Sequence, residues 1–321
     1  MQPSENSSRK WLWAAVKLLI VALVVWFIRG TIAKALADLG RRPLSLAPSW
    51  LAVSGCLYLL GILPEGLFWH RILIALGQRP RLSETLRAYY IGHLGKYVPG
   101  KALVVVLRTG LIRSQRVETG PAVAGVFLST LTMMSVGALL AAAILALGLA
   151  QRGPLLWASL AVLAVAGLPT LPPVFSRLAR WGSVGRANPA VIEQLARLSY
   201  KTLLAGWLGL LVGWALMGAS LWAALRTMGI AAQTDLIRQF SLDVAAVALG
   251  VVGGFVSMIP GGAVTREAIV AELLSPQYGG TTAISAAVLL RLVWLVAELA
   301  ISGILYFTRP TVTPTSPDAS A

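Results

Sequence analysis

Long apolar runs joined by short, mostly basic connections make up almost all of this chain. Gly120–Ala150, Leu155–Pro172 and Leu203–Leu225 carry no charged residue, Trp11–Ile28 carries only Lys17, and Thr281–Phe307 is interrupted only by Arg291 and Glu298. A helix needs roughly 20 apolar residues to cross a hydrocarbon core, where every backbone N–H and C=O has to be satisfied within the segment. The pattern therefore predicts six full spans, near Trp11–Ala33, Ser49–Trp69, Gly120–Leu149, Leu155–Pro173, Leu203–Leu225 and Thr281–Phe307. Two further stretches, Leu86–Ile112 and Leu242–Leu274, are apolar but each is broken by a Pro-Gly pair, Pro99-Gly100 and Pro260-Gly261. The expected fold is an all-α polytopic membrane protein of about six transmembrane helices plus two broken segments.

The two breaks lie about half the chain apart, and the same shift carries Gly120–Leu149 onto Thr281–Phe307 and overlaps Ser49–Trp69 with Leu203–Leu225. The first spans of the two halves do not align under that shift. The pattern suggests repeats over 11–150 and 155–307, each reading span, span, broken segment, span. The sequence leaves open whether a broken segment crosses or returns. If the first returns, Arg71, Arg79, Arg81, Arg87, Arg113, Arg116 and the basic loop Arg177–Lys201 all fall on one side, the cytoplasmic one. The second would then enter from the opposite side, an inverted repeat with both termini in the cytoplasm. Lys34, Arg41 and Arg42 are the exception, since they would face outward.

Composition sharpens this picture. The 321 residues are 57% hydrophobic and 12% charged, with a mean hydropathy of +0.77, outside the range of soluble globular domains. The formal charge of +15 would suggest nucleic acid in a soluble protein, but here the cations sit in loops too short to fold into a binding module, so they read as topology and attraction to anionic lipid. A lone Cys56 allows no intrachain disulfide, and His70 with His93 forms no recognisable metal set; neither metal nor cofactor is expected. Residues 1–10 read as a cytoplasmic segment, 11–307 as a single membrane domain with an uncleaved first span, and 308–321 as a disordered Pro/Ser/Thr-rich tail.

The chemistry lies in the polar residues placed inside the membrane pattern. Non-helical backbone at membrane depth requires a protein or water-lined shelter, so each break implies a cavity. Freed N–H groups at Gly100, Gly261 and Gly262 favour an anion, and Lys96, Lys101, Arg108 and Arg266 add positive charge beside them. The bland alternative is that the lysines snorkel to the headgroups and Arg108 ends a helix. Arg291 and Glu298 are seven residues apart on one helix face, about 10 Å along the axis. Each therefore needs a partner elsewhere, with Arg266, Glu267, Glu272 and Asp243 the nearest by topology. Glu65, after Pro64, reads as the interfacial end of its span. No Ser-His-Asp set, HExxH or P-loop is present, so an enzyme is not expected.

"GKYVPGKALVVVLR", "SMIPGGAVTREAIVAELL" and "AAVLLRLVWLVAELAISG" resemble the transmembrane region of lysylphosphatidylglycerol synthases, the flippase-like domain family, over nearly the whole chain to Phe307. Pro260, Gly261, Gly262, Arg266, Glu267 and Arg291 match its pattern. The family reads hydrophobic, Gly, hydrophobic before its Arg-Glu; here Ala263-Val264-Thr265 stands instead, without the Gly. The resemblance implies a multi-pass protein of a bacterial or archaeal cell (inner) membrane that carries the translocation part without a soluble synthase domain. It implies movement of a phospholipid or other phosphate-bearing lipid through a polar cavity lined by Lys96, Lys101, Arg108, Arg266, Glu267, Arg291 and Glu298. The other reading is a lipid-binding or assembly subunit that moves nothing. Expected partners are membrane lipids and a lipid-modifying enzyme, with no nucleic acid.

Overall fold

The computed structural model describes residues 47–98, 102–114, 116–147, 198–230, 235–262 and 264–308, with single positions between 154 and 177. The expected span Trp11–Ala33, most of Leu155–Pro173, residues 1–10, the tail beyond Thr308, and Pro99, Gly100 and Lys101 lie outside the described residues. The helices are α1 (Pro48–Ala75), α2 (Leu82–His93), α3 (Ala102–Ile112), α4 (Thr119–Ala146), α5 (Tyr200–Thr227), α6 (Leu236–Val256), α7 (Thr265–Tyr278) and α8 (Gly280–Phe307). Of these α1, α4, α5, α6 and α8 are long and apolar enough to cross a membrane. The chain is a multi-pass, all-α membrane protein. The sequence starts the second broken segment at Leu242, but α6 begins at Leu236 because the Asp235 side chain caps it, accepting from the Arg238 amide at 3.0 Å. That extra length is what makes α6 long enough to cross a membrane.

Helices α1 and α5 form the central pair and run antiparallel. At one end Ala47 donates to the Thr227 carbonyl, then Ser54 meets Ser220, and near the other end Gly206 packs on Phe68. At the crossing, a Cβ added to Gly213 would stand 2.5 Å from the Gly61 carbonyl oxygen, so the two backbones touch, as small residues permit in membrane helices. Trp69, Trp214 and Trp294 are fully enclosed. Two of their indoles are satisfied inside the bundle: Trp214 donates to the Met133 carbonyl and Trp294 to Ser220 Oγ. Leu60, Leu204, Val212 and Val296 point outward, where lipid tails replace water and exposure of apolar surface costs nothing.

Both broken segments fold back as helical hairpins. In the first, α2 and α3 pack so closely that a Cβ on Gly92 would lie 3.0 Å from the Arg108 amide and one on Gly95 2.6 Å from that of Val104. In the second, Gly254 meets Gly262 and Gly250 meets Arg266. The question left open by the sequence is thereby answered: the first segment returns to its starting end, where the Arg79 amide donates to the Arg116 carbonyl and Glu118 to the Gln78 side chain. The first hairpin follows the C-terminus of α1 and the second the C-terminus of α5. Because those helices are antiparallel, the hairpins enter from opposite ends, which is the inverted arrangement. Their tips meet where Tyr97 covers Gly261. Helices α4 and α8 close the two halves; the end of α8 is tied to α2 by Arg87 Nε, which donates to the Leu305 carbonyl at 2.8 Å, and by Ser302 Oγ, which donates to that of Tyr90.

Candidate functional site

Where the tips meet, the membrane-embedded ionisable groups gather into three sets. In the first, Glu298 of α8, 1% exposed, accepts from Lys96 Nζ at 2.5 Å and from the Tyr58 hydroxyl of α1. Lys96 sits in the short 3-10 turn Leu94–Tyr97 that ends α2. Tyr58 stacks on Trp294, with ring centres 4.1 Å apart. His93 joins them, its Nε2 3.1 Å from Lys96 Nζ and 3.4 Å from the Tyr58 hydroxyl. A charge-assisted cluster of this kind is strong in a low-dielectric interior, and each member would be costly alone.

The second set links α1, α2, α3 and α4. Arg108 donates to Glu65 Oε1 at 3.1 Å, while Glu65 also accepts from the Tyr89 hydroxyl at 2.8 Å and from Thr130 at 3.2 Å. The guanidinium lies 4.2 Å from the centre of the Tyr89 ring. In the third set Arg291 donates to Glu267 Oε1 at 2.7 Å, behind the Gly261 tip. Arg266 has no ion-pair partner among the described residues; it lies 4.5 Å over the Trp294 ring, with Nη2 buried and unbonded. Arg108 Nε is likewise a buried donor without an acceptor. Unmade hydrogen bonds at buried donors are rare and mark a place where a ligand or water completes the set.

A cavity of about 370 Å³ lies against these groups. Its polar lining includes Glu65, His93, Lys96, Arg108 and Arg266, with Gly261 and Gly262 exposing backbone. The rest is apolar, from Val105, Leu131, Met134, Val251 and Phe255. Phe127 and Met258 also line it and are 48% and 56% exposed, so the cavity is open where α4 and the end of α6 border it. A polar floor beneath an apolar wall suits an amphiphile.

Residues 14–302 match the family described as Lysylphosphatidylglycerol synthase TM region. The chain belongs to that family. No curated protein matches it. Among the positions that the family resemblance carried over, Arg266, Gly261 and Gly262 line the cavity, whereas Arg291 and Glu267 pair outside its lining and brace the tip. Lys96 and Arg108 do line it, and Glu298 holds Lys96 from behind. Lys101, with Pro99 and Gly100, lies outside the described residues. The bland reading of the lysine and arginine fails for the two that are described: Lys96 turns inward to Glu298 and Arg108 sits within α3, 1% exposed.

Three corrections follow from packing. Glu65 is no interfacial marker: it is 3% exposed and anchors Arg108. His93, considered in the sequence only as a metal ligand, bridges the first two sets, with Arg108 Nη2 3.2 Å from its Nδ1. Of the partners expected for Arg291 and Glu298, Glu267 takes the arginine, but the glutamate pairs with Lys96 of the other hairpin; Asp243 is buried without a hydrogen bond and Glu272 is exposed. Tyr58 and Trp294 were missed altogether. A tyrosine in a charge-free run looks like packing until its partner is known.

The family's glycine before Arg-Glu has a structural counterpart in its absence here. Val264 occupies that position with φ 69 and ψ −55, a conformation that a β-branched residue adopts only under strain. Relief of roughly 1–3 kcal/mol, less the 0.5–1 kcal/mol entropic penalty of glycine, leaves Val264→Gly more stable by about 1 kcal/mol. Thermal unfolding in detergent micelles should show a higher midpoint; a lower one contradicts the strain.

Proposed function

We propose that this protein moves a phosphate-bearing membrane lipid between leaflets by sheltering its headgroup in the cavity between the hairpin tips, without making or breaking a covalent bond. The observation that carries this reading is the cavity whose apolar wall ends on Lys96, Arg108 and Arg266, two of them with unbonded guanidinium donors. Phosphate oxygens accept such donors in pairs, and acyl chains can remain in the bilayer beside Phe127 and Met258. The end that gathers Arg79, Arg81, Arg113 and Arg116 is read as cytoplasmic by its excess of arginine. Hairpins entering from opposite ends supply the broken-helix, midplane architecture of transporters, with one half able to rock against the other. A lipid-modifying enzyme would supply the cargo.

A static lipid-holding or assembly subunit is the second reading, favoured by the fact that Lys96, Arg108 and Arg291 are already paired to glutamates that brace the hairpins. Arg266 separates the two, because it lines the cavity without an ion-pair partner among the described residues. In proteoliposomes carrying fluorescent anionic and aminoacylated phospholipids, dithionite quenching should report movement by the wild type and a loss of at least about tenfold in Arg266→Met, equal to roughly 1.4 kcal/mol of lost stabilisation. Folded wild-type protein that moves neither lipid contradicts translocation.

A further inference from the structure

The hydrogen-bond donors around His93 do not fit the ordinary charge states. Arg108 Nη2 lies 3.2 Å from Nδ1 and Lys96 Nζ 3.1 Å from Nε2. A guanidinium only donates, so Nδ1 accepts and the single proton of the neutral ring sits on Nε2. That N–H points at Lys96. An ammonium there would set donor against donor. A neutral amine, with two N–H bonds and one lone pair, matches all three of its contacts: it donates to Glu298 Oε1 at 2.5 Å and to the Tyr58 oxygen at 3.2 Å, and accepts from His93. Tyr58 keeps its own proton for Glu298.

The charges gathered around Lys96 and His93 agree with that count. From α8 come Glu298 and Arg291, from α7 Arg266 and Glu267, from α3 Arg108, and from α1 Tyr58 and Glu65, while Tyr97 and Tyr89 flank the lysine and the imidazole. Arg108 cancels Glu65 and Arg291 cancels Glu267. Among the described residues Glu298 and Arg266 remain, of opposite sign, so that set is neutral only if Lys96 is uncharged. A bound phosphodiester adds one negative charge, and one proton restores the balance. Uncompensated charge in a buried site is what such a balance avoids.

We infer that Lys96 and His93 form a proton-binding site tied to headgroup binding, so that an anionic phosphodiester enters the cavity together with a proton. The inference rests on the lipid-headgroup reading of the cavity. Arriving phosphate draws Arg108 Nη2 away from His93. The freed Nδ1 lone pair takes a proton from bulk hydronium, forming Nδ1–H, and the Nε2–H proton passes to Lys96, which becomes an ammonium. Nε2 then accepts from the lysine. The cavity gains one proton and one anion, and transport becomes electroneutral.

Calorimetric titration of the purified full chain in detergent with dihexanoyl phosphatidylglycerol, a phosphodiester lipid without an amine, tests this. Run in buffers of differing ionisation enthalpy near neutral pH, it should give an uptake of roughly one proton per lipid bound. Lys96→Arg, which keeps the charge but cannot release it, should bind the lipid with that uptake lost. Wild-type binding without proton uptake overturns the inference and leaves the lipid-binding site standing; uptake that persists in Lys96→Arg overturns the assignment to Lys96. Absence of lipid binding by folded wild type overturns both.

Discussion

Arg108→Met should lower stability by about 3–5 kcal/mol, the cost of leaving a buried carboxylate without its cation. Glu65 is 3% exposed and holds Arg108 at 3.1 Å, with only the Tyr89 and Thr130 hydroxyls to share the remaining charge. Glu65 also joins four helices, since it belongs to α1 and its donors Tyr89, Arg108 and Thr130 to α2, α3 and α4. Removing both charges should be much milder. Arg108→Met combined with Glu65→Leu replaces the ion pair with apolar volume and should recover most of the loss, because neither group then pays for desolvation. Thermal unfolding in detergent of both single variants and the double variant gives the coupling. The double variant should still fail to move lipid, because Arg108 is one of the donors facing the cavity. A single-variant loss below about 1 kcal/mol would mean that Glu65 is not charged and that the pair is no ion pair.

Gly262→Ala should be the most damaging small change near the tip. Gly262 has φ 65, and a Cβ placed on it would stand 2.9 Å from Gly254 Cα and 3.4 Å from that residue's carbonyl atoms. The first fact costs roughly 1–2 kcal/mol for a residue with a side chain; the second forces backbone away from backbone, with overpacking costs of about 1–3 kcal/mol. No flexible side chain can give way there. The change would wedge α6 from the Pro260–Gly262 turn that leads into α7 and shift Gly261 against Tyr97, at the junction that both hairpins share. Expected results are a loss of roughly 2–5 kcal/mol in detergent unfolding and no lipid movement in proteoliposomes. Unchanged stability and transport would show that the close contact of α6 with that turn is not needed.

Much of this architecture could be read without coordinates. The spans at α1, α4, α5 and α8 follow from apolar length alone, and the Pro-Gly pairs marked both hairpins, because a helix cannot continue through freed backbone in lipid without a cavity to receive it. Arginine placement favoured the returning form of the first hairpin before any contact was known. The extent of α6 was harder to place, since Arg238 and Gln239 look like loop residues until Asp235 is seen to cap a helix that includes them.

The site divides differently. Lys96, Arg108, Arg266, Arg291 and Glu298 stood out because a charge in an apolar run is costly and so demands a reason. Their partners did not. Lys96 and Glu298 are 202 residues apart in sequence, and Tyr58, Glu65 and His93 resemble packing or interfacial residues in any local window. Sequence by itself determined the spans at α1, α4, α5 and α8, the place of the second break and which charges had to be sheltered, because those depend on one residue's transfer into lipid. Only the tertiary structure decided which charge meets which and where the cavity opens, because hydrogen bonds and ion pairs act over a few ångströms between helices that the chain brings together from its two halves.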